Sequence, residues 1–125
     1  IARIVEELQD DNFMIVLHNC GNSGHCTAAM LETKAAGLHF GNSINMVDAL
    51  TECPEDILVM GNIDPVGIFK MATPEKVKSE TLTLLQNTSK WKNFVLSTGC
   101  DVPPHVPMEN IAAFYEALDE YNRRL

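Results

Sequence analysis

His18 and Cys20 stand two residues apart in a segment that follows an apolar run. In an extended chain side chains alternate faces, so both point the same way and can share one ion. An imidazole and a thiol need one more soft ligand to make the three-ligand arrangement of catalytic zinc, in which a fourth position stays open for water or substrate. Cys100, near the end of a later apolar run, is the best third ligand. His25-Cys26 is a rival pair. Adjacent residues in an extended segment face opposite sides, however, and Cys26 stands at the start of a helical pattern, which favours a half-buried thiol. Cys53, beside Pro54, reads as a packing residue. His39 fits a fourth ligand or a substrate contact, and equally an imidazole bonded to backbone. Asn62 and Asp64 can orient a substrate or a ligand, or can simply make a turn with Pro65. A single His-x-Cys describes a core histidine and buried thiols as well as it describes a metal site.

These residues need elements that carry them to one place. Ile1, Ile4, Val5 and Leu8 recur at helical spacing, and Asp10-Asp11-Asn12 breaks the pattern. Phe13 to Leu17 is a continuous apolar run, the mark of a parallel strand buried on both faces. Thr27 to Ala36 predicts a helix stopped by a left-handed Gly37. Leu38-His39-Phe40 is a short strand, a helix through Met46, Val47 and Leu50 stops before Pro54, and Ile57 to Met60 makes the third strand. Thr73 caps a helix with Pro74 at its first position and Glu75 in its first turn, running to about residue 87. Phe94 to Thr98 is the fourth strand. Pro107 then opens a helix whose stripe is Ile111, Phe114, Tyr115, Leu118 and Tyr121. Met30, Met46, Met60 and Met71 read as core.

Alternating strands and helices predict an α/β fold with a parallel sheet and right-handed crossovers. Either a small doubly wound sheet or part of an eight-stranded barrel satisfies this pattern, and both place chemistry at the carboxyl ends of the strands. The ligands separate the two. In a flat sheet the first and fourth strands lie roughly 14 Å apart, whereas zinc holds sulfur at about 2.3 Å, so one shared ion requires a curved barrel mouth.

Composition narrows the partners. The 125 residues carry nine Lys+Arg against seventeen Asp+Glu, a formal net charge of -8, which argues against nucleic acid or an anionic membrane surface. With 46% hydrophobic residues the chain can bury a core and needs no disulfide framework, so its four cysteines point to a reducing, cytoplasmic setting. No apolar run approaches the roughly 20 residues that span a bilayer.

His18-Asn19-Cys20-Gly21-Asn22, Gly61-Asn62-Ile63-Asp64-Pro65-Val66, Thr73-Pro74-Glu75, Ser97-Thr98-Gly99-Cys100-Asp101-Val102-Pro103-Pro104 and Pro107-Met108-Glu109-Asn110-Ile111 together resemble the carboxyl-terminal half of the uroporphyrinogen decarboxylase superfamily. The His-x-Cys with a distant Cys looks like its corrinoid-dependent branch, the methylcobamide:coenzyme M methyltransferases. The resemblance implies the last four βα units of a (β/α)8 TIM barrel. Residues 1–125 would then be one incomplete barrel segment of a longer chain, inactive alone and associating with another copy through exposed sheet edges. It also implies zinc on His18, Cys20 and Cys100, substrate contacts from Asn62, Asp64 and His39, and methyl transfer between a corrinoid (cobalamin) protein and a small thiol such as coenzyme M. Two anionic cysteine ligands would leave electron density on the substrate sulfur and favour its nucleophilicity. The alternatives are a metal-free decarboxylase of porphyrin biosynthesis and an inactive segment that only binds a partner. Two positions depart from the family pattern: His105 stands where a Gly is usual, and Ala72 replaces the usual Gly before Thr-Pro-Glu.

Overall fold

The computed structural model describes residues 1–21 and 26–125. Helices and strands alternate as α1 (Ala2–Leu8), β1 (Val16–Asn19), α2 (Thr27–Leu31), β2 (Gly37–Phe40), α3 (Met46–Glu52), β3 (Leu58–Ile63), α4 (Pro74–Asn87), β4 (Phe94–Thr98) and α5 (Met108–Arg123). The four strands form one sheet in the order β1-β2-β3-β4, parallel throughout. Sequential order in a parallel sheet is what successive right-handed crossovers produce.

Each helix starts for a local reason. Asn45 caps α3, its side-chain oxygen accepting from the backbone N–H groups of Val47 and Asp48. Thr73 caps α4 by accepting from Lys76 N, with Pro74 at the first position. The Glu75 carboxyl is held below its ordinary value by hydrogen bonds from its own backbone N–H and from the Thr73 hydroxyl. Helices α4 and α5 lie side by side, joined on the surface by Lys78 Nζ at 3.0 Å from Glu120 and 4.0 Å from Glu116.

One face of the sheet is covered and the other is not. Leu38, Phe40 and Val59 are at most 2% exposed, packed with Val5, Met30, Met46, Ala49 and Leu50. A second cluster joins Ile63, Phe69, Val77, Ala113 and Phe114 beneath α4 and α5. The alternate residues, paired across the strands as Val16–Gly37, His18–His39, His39–Met60, Met60–Val95 and Asn62–Ser97, share the opposite face. There Val16, His18 and Val95 are exposed, and His39, Met60, Asn62 and Ser97 are half-buried. Within the described residues the expectation of strands buried on both faces is therefore not met by β1 and β4, whereas β2 is buried or half-buried throughout. Among the described residues helices cover one face only, and β1 and β3 alternate in burial as a half-covered strand does.

Several local expectations also shift. Helix α2 ends at Leu31, and the left-handed residue beyond it is Lys34 (φ 60°) rather than Gly37, which opens β2. Strand β1 begins three residues later than the apolar run and reaches Asn19. Met71 is 73% exposed instead of buried, while Met30 and Met46 are core. Helix α5 turns Asn110, Ala113, Phe114 and Ala117 inward and leaves Tyr115 outside, because small residues allow close packing on α4. In α1 only Val5 is buried.

Candidate metal centre

The imidazole of His18 and the thiols of Cys20 and Cys100 offer ligand atoms that all lie within 4.8 Å of one another. This is the one such His/Cys/Asp/Glu grouping among the described residues. His18 and Cys20 are exposed and Cys100 is half-buried, so the cluster opens to solvent on one side. A flat four-stranded sheet would hold the end strands roughly 14 Å apart. The sheet must therefore curl to bring residues 20 and 100 together.

Two glycines permit that convergence, and sequence reasoning missed both. A Cβ on Gly41, just past β2, would stand 3.0 Å from the Cα and carbonyl oxygen of Cys20. Gly41 N also donates to Asn19 O at 3.0 Å. A Cβ on Gly99 would stand 2.5 Å from Asn42 N. Bare backbone at these two positions stacks the end of β1 on the end of β2, and the end of β2 on the loop that carries Cys100. Their signal in the sequence is a glycine immediately beyond a strand.

Polar side chains then hold the loops. Asn62 Nδ2 donates to Gly41 O at 2.9 Å and Ile44 O at 2.6 Å, so the residue expected to touch substrate ties down the loop after β2. Asp64, the second expected substrate contact, accepts from Val66 N and Gly67 N at 2.9 Å each, an Asx turn. His39 Nε2 lies 2.7 Å from Thr98 O, and its ring centroid is 4.6 Å from that of His18. The Cys100 segment is further held by Thr98 Oγ1 donating to Cys100 O at 2.8 Å and by Gly99 N donating to Ile63 O at 2.8 Å. Asn62 and His39 share the face of the sheet that helices leave open, beside the cluster.

The remaining cysteines stand apart from this grouping. Cys26 is half-buried at the amino end of α2, and its neighbour His25 lies outside the described residues. Cys53 is buried, and burial followed by the nearby Glu52 charge pushes its thiol up to about 11. His105 adopts a left-handed φ of 63°, a conformation that glycine takes more readily than other residues. A surface cleft lined by Thr27, Ser43, Asn45, Asp48 and Glu52 includes none of the three clustered residues.

The donor set fits a zinc ion. Tetrahedral bonds of about 2.0–2.3 Å place neighbouring ligand atoms about 3.5–3.8 Å apart, a spacing that small side-chain rotations reach from the observed cluster. Two thiolates and an imidazole are soft and borderline donors of the kind zinc selects. Three protein ligands on an open face leave a position for a fourth, as in catalytic sites.

Comparison with known proteins places this arrangement in context. A family model described as Uroporphyrinogen decarboxylase (URO-D) matches residues 1–121. A methylcobamide:CoM methyltransferase, MtbA of Methanosarcina acetivorans, is 28% identical over 119 residues, 95% of this chain and 34% of the relative. A uroporphyrinogen decarboxylase of Prochlorococcus marinus is likewise 28% identical, over 98% of this chain and 33% of its own length. A solved methyltransferase from Methanosarcina mazei superposes with a TM-score of 0.78 at 26% identity, covering 89% of this chain and 32% of its own. The chain thus spans about a third of the length of the relatives it matches.

Proposed function

The chain belongs to the uroporphyrinogen decarboxylase family, and from that premise we propose that it carries the zinc site of a methyltransferase that moves a methyl group between a corrinoid protein and a small thiol such as coenzyme M. The observation that carries this reading is the convergence of His18, Cys20 and Cys100 on one open point. Sequence identity does not choose between the branches, since a methyltransferase and a decarboxylase stand at the same 28%. The ligand set supports the methyltransferase reading, because a metal-free decarboxylase has no need of two thiols and an imidazole gathered at a strand end.

His18 would contribute a neutral imidazole nitrogen, and Cys20 and Cys100 would each give up a proton to bind as thiolates. When bound, zinc supplies a position for a substrate thiol and lowers its pKa, so that the nucleophilic thiolate is available near neutral pH. The exposed side of the cluster is where a small thiol and a large corrinoid-bearing partner can both approach. Asn62, by holding the loop after β2, and Asp64, by shaping the turn after β3, set the walls of that approach.

Metal analysis of the purified protein tests the reading. The expected content is about one zinc per chain, lost in His18→Ala and in Cys100→Ser. Zinc content unchanged by both substitutions, or a zinc-free wild type that binds a carboxylated tetrapyrrole, would transfer the assignment to the decarboxylase branch.

A further inference from the structure

We propose that His39 is a positioning residue that holds the Cys100 loop against the end of β1, and so sets the distance between Cys100 and the His18–Cys20 pair. The inference deepens the zinc reading and rests on it for its metal arm only. The three clustered residues come from opposite ends of the chain, and β2 and β3 separate their strands. His39 is the side chain that bridges this gap. Its position in β2 pairs directly with His18 in β1, and the two rings lie 4.6 Å apart, tilted by 34°. Its Nε2 reaches past β3 to the carbonyl oxygen of Thr98 at 2.7 Å, two residues before Cys100. A carbonyl only accepts, so Nε2 must carry the hydrogen. One ring thus touches the imidazole on one side and anchors the thiol-bearing backbone on the other. Hydrogen bonds made directly to metal ligands are worth about 10–100-fold in metal affinity, and His39 acts one step further out, through the backbone that carries Cys100.

The test uses His39→Gln, which keeps an N–H donor at a similar reach, against His39→Leu, which has none, and His39→Asn, which keeps the polarity but is too short. The first readout needs no metal. Reduced, metal-free protein is treated with diamide, which takes two electrons and two protons from a thiol pair to become the hydrazine as the S–S bond forms. Peptide mapping then follows the Cys20–Cys100 disulfide. Wild type and His39→Gln are expected to cross-link at similar rates, and His39→Leu and His39→Asn at least about tenfold more slowly, because the thiols lose their enforced proximity. The second readout is cobalt(II) alone, titrated against a chelator, with its thiolate charge-transfer band displaced in the Leu and Asn variants and restored in Gln. Equal cross-linking rates in folded Asn and wild-type proteins would overturn the inference, as would a Gln variant as slow as Leu. If wild type cross-links rapidly but binds no metal, the zinc reading fails while the cross-linking series still decides the role of His39.

Discussion

At the scale of single residues, the legible part of the site was the part set by local spacing. His18 and Cys20 share a face because two residues is the period of an extended chain, and that holds whatever surrounds them. The sequence left Asn62, Asp64 and His39 open between a substrate contact and a turn or backbone bond, since an amide, carboxylate or imidazole looks the same in sequence whether it meets a substrate or the backbone. Asn62 binds Gly41 O and Ile44 O, and His39 binds Thr98 O, 59 positions away. Cys53 was legible as a packing residue, and its environment makes a prediction. Burial raises its thiol from 9.0 to about 11, so the folded state disfavours the thiolate that the unfolded chain forms. The stability this thiol contributes is fully present below pH 9 and is lost as the pH rises through about 11. Denaturant titrations between these limits should show stability falling with pH, less steeply in Cys53→Ala; an equal slope in both proteins would show that other groups set it.

Among the elements, α4 and β4 match expectation, because Thr73 and Pro74 start the helix and the apolar run Phe94-Val95-Leu96, followed by Ser97 and Thr98, makes the strand. Where the signal was a periodic stripe alone, packing overrode it. Helix α5 presents Ala113, Phe114 and Ala117 inward and leaves Tyr115 outside. The start of α5 is pinned by Asn110, 1% exposed, whose Nδ2 donates at 2.9 Å to both Phe69 O and Ala72 O. Asn110→Ala strips two carbonyls of a donor and leaves a void. A loss of about 2–3 kcal/mol in denaturant unfolding is the expected result. A change below 0.5 kcal/mol would mean that water replaces the amide.

For the molecule as a whole, four parallel βα units of barrel type leave one row of backbone groups on β1 and one on β4 outside any strand pairing among the described residues. The open face between them exposes Val16 and Val95 at 39% and 38%. Edges of this kind seek partners, and the expected behaviour of residues 1–125 in solution is self-association, read as a species larger than a monomer by sedimentation at tens of micromolar. A monomer at every concentration would show that the net charge of -8 keeps copies apart. No helix among the described residues is long and apolar enough to cross a membrane.

The sequence by itself determined the order and type of the elements and the shared face of His18 and Cys20, because capping, apolar runs and two-residue spacing act within a few residues. Only the tertiary structure decided that helices cover one face of the sheet among the described residues and that the first and fourth strand ends meet. That meeting depends on curvature, on two glycines whose missing side chains admit a neighbouring backbone, and on hydrogen bonds between residues far apart along the chain.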